Sequence, residues 1–196
     1  MAQQGGLFEA EQQLPNGLLY RANFIEPALE GELLAYFATL PFRNARFQQY
    51  TARRRVMRFG AGKYLEEPAE EEAEFPRREF PPLLLTLRAR VADWLGLQED
   101  AFVHGLATEY QPGTPIGWHC DASNFNIVAG ISLGSACTMR FRPLATRRTR
   151  DAVAIELQPR SAYLMRGEIR NAWQHSIVPT KALRYSVTLR TLSARP

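Results

Sequence analysis

Two cysteines and two lysines stand in a chain of 196 residues that holds only three histidines. Cys120 and Cys137 make no disulfide framework, which argues against a small secreted scaffold and suits a reducing, cytoplasmic setting. No apolar run approaches the roughly 20 residues that span a bilayer, so no membrane partner is expected. The opening Met1-Ala-Gln-Gln-Gly-Gly-Leu-Phe8 stretch likewise lacks the basic and apolar segments of a signal peptide. Lys63 and Lys181 are the lysines, so arginine carries nearly all of the positive charge behind a net +4 and a pI near 9.3. That balance permits nucleic-acid binding without requiring it, because arginine bias also reflects genome composition. Hydrophobic content of 45% is enough for one full core, and no internal repeat divides the chain. A single monomeric domain over 1–196 is expected, with a helical layer and lid over about 1–98 and a β core over about 99–196.

The scarce histidines fall in a pattern. His119 and Asp121 flank Cys120, and His175 follows at a distance. Two imidazoles and one carboxylate are the ligand set of non-haem Fe(II) oxygenases, which leaves half of the coordination sphere open. Side chains two apart on a strand share a face, so His119 and Asp121 are expected to reach one ion from one strand while Cys120 faces away. A chance His-x-Asp is common, so its surroundings must carry the argument.

They do so in the last strand. Arg184, Ser186, Thr188 and Arg190 share one face and Tyr185, Val187 and Leu189 the other, the period-two pattern of a half-buried strand. With the polar face inward, the two arginines stand roughly 20 Å apart in backbone, and their side chains converge on a gap that fits a five-carbon dicarboxylate such as 2-oxoglutarate.

The run Thr108-Glu-Tyr-Gln-Pro-Gly-Thr-Pro-Ile-Gly-Trp-His-Cys-Asp121, then Gly130-Ile-Ser-Leu-Gly134, Trp173-Gln-His-Ser-Ile177 and Arg184 to Arg190 resembles the AlkB family of Fe(II)/2-oxoglutarate dioxygenases. The likeness is close over roughly 100–192 and looser before it. It implies iron held by His119, Asp121 and His175, which are also the catalytic residues, with O₂ as co-reactant. Arg184 then pairs with the distal carboxylate of 2-oxoglutarate, Tyr110 donates its hydroxyl to it, and Arg190 lies near its other end. Thr108 and Ser186 stand where many relatives carry Asn, and a hydroxyl can donate at either place. Ser123 stands where DNA-repair members often carry an acid that contacts the flipped base. The segment Leu157 to His175 looks more like relatives that act on tRNA or protein. The family's reaction yields succinate and CO₂ and hydroxylates an N-methyl carbon that leaves as formaldehyde. Demethylation of alkylated ssDNA or RNA, as in DNA repair, is therefore the reading, since such a base must be flipped out or single-stranded. A protein demethylase and a non-catalytic jelly-roll binding module are the rivals.

The resemblance further implies a double-stranded β-helix, a jelly roll, behind an N-terminal helical layer. Pro27 to Leu40 and Pro82 to Leu97 read as amphipathic helices, Leu18 to Tyr20 as a short strand, and Glu66 to Pro82 as an exposed acidic loop. Residues 45 to 64 read as a two-stranded flap turning at Gly60-Ala-Gly62, where the family has its substrate lid. Its Arg53, Arg54, Arg55, Arg58 and Lys63, interleaved with Tyr50, Phe59 and Tyr64, suit a nucleic-acid strand; a charge-guarded strand edge is the bland alternative. His104 reads as structural and Arg147 to Arg150 as a solvated loop. Trp118 and Trp173 adjoin the metal residues, either walling the site or simply packing.

Overall fold

The computed structural model describes residues 14–47, 50–60 and 78–193, and of 46, 47 and 50 the backbone alone. Strands β1 (Leu18–Arg21), β2 (Arg43–Phe47), β3 (Tyr50–Phe59), β4 (Phe102–Tyr110), β5 (Ile116–His119) and β6 (Phe125–Leu133) are followed by β7 (Cys137–Pro143), β8 (Val153–Leu157), β9 (Ala162–Met165), β10 (Trp173–Ile177) and β11 (Arg184–Leu192). Helices α1 (Pro27–Ala38) and α2 (Pro82–Leu95) lie between the early strands, and a single turn, α3 (Glu168–Asn171), precedes β10. The strands form two antiparallel sheets, β1-β9-β6-β11-β4-β3-β2 and β5-β10-β7-β8, which is the expected jelly roll.

Period-two alternation sorts the major sheet into two cores. Ala107, Ala129, Ile131, Leu133, Val187 and Leu189 face the helices, against Leu33 and Phe37 of α1 and Leu84, Leu87 and Val91 of α2. Tyr110, Val128, Tyr163 and Met165 face the minor sheet, against Met139, Phe141, Leu157 and Ile177. Each fully buried Leu or Phe contributes about 1.5–3 kcal/mol. β11 is buried on both faces rather than half-buried, because its polar face forms the floor between the sheets.

Both helices begin with proline in the first turn, where the missing N–H costs nothing. They end two residues earlier than the apolar spacing predicts. α2 stops because Gly96 takes φ 65°, which turns Leu97 back to donate to the Ala92 carbonyl.

The expected flap differs in two ways. β2 and β3 pair antiparallel with Phe47 opposite Tyr50, so the paired strands are not joined through Gly60-Ala-Gly62, and β3 is itself a strand of the major sheet, beside β4. Gly60 ends β3 at φ +109°, with Arg78 bridging back to Phe59. Lys63, Tyr64, Gly62 and most of the predicted acidic loop lie outside the described residues. Because β1, β2 and β3 all join the major sheet, the N-terminal half supplies sheet as well as helices. Among the described residues no helix is long and apolar enough to cross a membrane.

Candidate active site

The ladder between β5 and β10 sets His119 directly opposite His175, with ring centroids 4.2 Å apart. β5 ends at His119, so Asp121 reaches the site from the following turn rather than from the strand. Arg170 braces that turn, donating to the Ala122 carbonyl and, at 2.9 Å, to that of Phe125. Strand alternation therefore fails at Cys120, which is exposed at the cavity rim with its thiol 3.7 Å from the Trp173 carbonyl.

Burial sets the protonation of all three groups. It lowers His119, and it lowers His175 to about 3 with the help of the neighbouring His119 ring, so both imidazoles are neutral. For Asp121 burial alone would raise the carboxyl, but the Arg190 guanidinium, paired with it at 2.9 Å, outweighs burial and holds the group ionised. Neutral imidazoles and a carboxylate are metal ligands. His119 donates Nδ1–H to the Gly117 carbonyl at 2.9 Å, which leaves the Nε2 lone pair free.

Among the described residues no three His, Cys, Asp or Glu side chains are drawn tightly enough to grip one ion as they stand. The reason is local: Asp121 gives Oδ1 to Arg190 at 2.9 Å and turns Oδ2 toward His175 Nε2 at 3.6 Å. Two ligands each about 2.1 Å from one ion stand roughly 3–4 Å apart, so the His175 and Asp121 spacing fits a shared ion.

A cavity of about 220 Å³ opens beside these groups, lined also by Thr108, Tyr110, Tyr163, Thr188, Arg190 and Arg54. Arg190 spans from Asp121 to His104, whose Nδ1 accepts its Nη1–H at 3.3 Å. Arg184 lies 1% exposed and does not line the cavity. Its guanidinium carbon sits 4.6 Å from the centre of the Tyr110 ring, Nε donates to Ser132 at 3.2 Å, and Nη1 has no hydrogen-bond partner. Tyr110 in turn pairs its hydroxyl with that of Ser186 at 3.4 Å. A buried guanidinium with an unmade bond costs free energy until an anion reaches it, which is the fit a carboxylate offers. The residues present thus suit both the iron and the oxoacid.

The residues expected to bind substrate divide. Arg54 lines the cavity, and Arg53 is exposed one residue earlier on β3. Arg55 points the other way, to the helical side, where it makes a two-pronged pair with buried Glu109 at 2.7 and 2.8 Å. Phe59 shares that face, fully buried against Phe80, so it is core and not a stacking platform. Ser123 is exposed on the turn after Asp121, its carbonyl accepting from Ser193 at 3.1 Å, and does not line the cavity. The Tyr50 side chain and Tyr64 lie outside the described residues. Trp118 does not wall the site: it faces outward from the minor sheet, with Arg142 and Arg140 over its ring at 4.4 and 5.1 Å. Trp173 packs at the edge of the inner core.

Three site residues escape the sequence reading. His104 faces Arg190 across the β4 and β11 ladder, a register that the two segments' alternation would have given. Ser132 and Tyr163 project inward from β6 and β9, and their signal was the inner face of two runs otherwise read as apolar.

The comparisons fit this geometry. The model of the 2OG-Fe(II) oxygenase superfamily matches residues 17–191, and the chain belongs to that superfamily, whose members use Fe(II), 2-oxoglutarate and O₂. The AlkB resemblance read from the sequence has its counterpart in the fold. The solved structure of OsALKBH1 superposes with a TM-score of 0.71 over 92% of this chain and 100% of its own, at 14% identity, a likeness of fold. An uncharacterized protein of Acanthamoeba polyphaga mimivirus is 32% identical over 81 residues, 39% of this chain and 36% of that protein, so the match spans about a third of its length.

Proposed function

We propose that this dioxygenase oxidatively demethylates single-stranded nucleic acid, ssDNA or RNA, with His119, Asp121 and His175 as iron ligands. The observation that carries the chemistry is the unpartnered Nη1 of buried Arg184 behind the paired histidines, a carboxylate site next to a metal-ligand set. Iron with bound 2-oxoglutarate supplies the activation of O₂, which ends as succinate, CO₂ and one hydroxylated N-methyl carbon. The chain's residues do the positioning. Arg184 and Tyr110 hold one end of the oxoacid, Arg190 orients Asp121 from behind, and Thr108 and Ser186 offer hydroxyls beside them. The hydroxylated methyl group leaves as formaldehyde and the nitrogen keeps a proton.

Support for a nucleic-acid substrate comes from Arg54, a cation in the cavity wall where a phosphate could be met, with exposed Arg53 next to it in the chain. Arg140 and Arg142 add further cations on the outer face of the minor sheet, over Trp118. The test is formaldehyde release from methylated ssDNA, tRNA and peptide pools with Fe(II) and 2-oxoglutarate. Release from oligonucleotides is expected; release from peptides alone would make the protein demethylase the correct reading.

A further inference from the structure

We propose that His104 is a positioning residue for the iron site, holding Arg190 so that the arginine occupies one oxygen of Asp121 and leaves the other to the metal. The inference rests on the iron assignment proposed above and extends it to a side chain that does not line the cavity.

His104 stands directly opposite Arg190 on the β4 and β11 ladder, and each is 8% exposed. β11 shifts register just past Arg190 against both of its neighbours, between Arg190 and Thr191 toward β4 and between Arg190 and Leu192 toward β6. Such irregularities re-aim a side chain, here a guanidinium that reaches the turn carrying Asp121. Phe125 packs against both groups, its ring centre 5.1 Å from that of His104 and 5.4 Å from the guanidinium carbon of Arg190.

The guanidinium nitrogens are divided unequally. Nε and Nη2 both donate to Oδ1 of Asp121, at 3.3 and 2.9 Å, while Nη1 lies 3.3 Å from Nδ1 of His104. A guanidinium only donates, so Nδ1 must accept, and the ring is neutral with its proton on Nε2. An arginine facing a carboxylate ordinarily takes both oxygens, one for each nitrogen. Arranged that way, Arg190 would compete with a metal for Oδ2. The anchor on His104 keeps the fork on Oδ1 instead, and Oδ2 stays turned to His175 Nε2 at 3.6 Å, the spacing that a shared ion fits.

The experiment measures Mn(II) affinity of the full chain by calorimetry, without 2-oxoglutarate, beside the thermal midpoint. His104→Phe keeps a ring against Phe125 and removes the acceptor, and Mn(II) affinity should fall about 10- to 100-fold. His104→Asn, whose side-chain oxygen can stand in for Nδ1, should recover most of it. In an Arg190→Met background, His104→Phe should change Mn(II) affinity no further, because the histidine acts through the arginine. Unchanged affinity in His104→Phe, a loss that His104→Asn shares in full, or a further loss in the Arg190→Met background would overturn the role of His104 and leave the iron assignment standing. A second measurement needs no variant to fold. Imidazole nitrogen–proton correlation spectra of the Zn(II)-loaded parent should show His104 neutral and protonated at Nε2, and a proton on Nδ1 would sink the proposal. A parent that binds no divalent metal would overturn the iron assignment and this inference together.

Discussion

The guanidinium of Arg184 lies 4.6 Å above the Tyr110 ring with one nitrogen, Nη1, left without a hydrogen bond. Tyr110 lines the cavity and Arg184 does not, so the ring both supports the cation and mediates its access to the open space. A planar fork on an aromatic face with one free prong is a geometry that lysine cannot reproduce.

Arg184→Lys should therefore weaken 2-oxoglutarate binding to the Mn(II)-loaded chain by about 10- to 100-fold, or roughly 1.4–3 kcal/mol, and leave Mn(II) affinity intact. Calorimetry of the two ligands separately checks this. Equal loss of both would make Arg184 a structural residue.

Arg55 and Arg54 are adjacent in sequence and should behave oppositely. Glu109 is 4% exposed and receives Arg55, Gln111 and Tyr185, so Arg55→Ala should destabilise the fold by about 1–3 kcal/mol in chemical denaturation. The estimate sits below that for a fully buried pair because the Arg55 side chain is 42% exposed. Arg54→Ala should leave stability unchanged. Its effect should appear in oligonucleotide binding.

Neutralising Arg53 and Arg54 together should lower ssDNA or RNA affinity and flatten the dependence of log affinity on log salt, by about 0.7 for each true phosphate contact with a single strand. Uncoupled 2-oxoglutarate turnover should persist. A double variant that binds and demethylates oligonucleotides like the parent would remove β3 from the nucleic-acid surface.

Phe59 should act on stability alone. It is fully buried between β3 and the helical layer, beside Phe80, and Phe59→Ala should cost about 3–5 kcal/mol. Phe59→Leu should fold, with 2-oxoglutarate and oligonucleotide affinities unchanged.

The contrast between β11 and β3 shows what the sequence makes legible. On β11, polar and apolar residues alternate without exception from Arg184 to Arg190, so the two faces could be separated and the polar one assigned to the site. On β3 the same rule separates Arg54, Val56 and Arg58 from Arg55, Met57 and Phe59, but each face carries an arginine, and composition cannot say which is buried. The answer lies in Glu109, a buried acid 54 residues from Arg55 in the chain that claims it from the helical side. Asp121 was legible as a ligand although its strand ends two residues early, because a short turn braced by Arg170 brings it back to His119. The place of Tyr163 in the cavity wall was only half legible: alternation turns it inward, but its ring lies across β6 because Gly130 opposite is bare backbone.

The most direct test of the account is iron stoichiometry together with 2-oxoglutarate-dependent O₂ consumption, compared between the parent and His175→Ala. The parent should bind one Fe(II) per chain and convert 2-oxoglutarate to succinate, and the variant, left with one imidazole and one carboxylate, should hold iron far more weakly and turn over no 2-oxoglutarate. Undiminished succinate formation by His175→Ala would contradict the assignment of His119, Asp121 and His175 as the iron site.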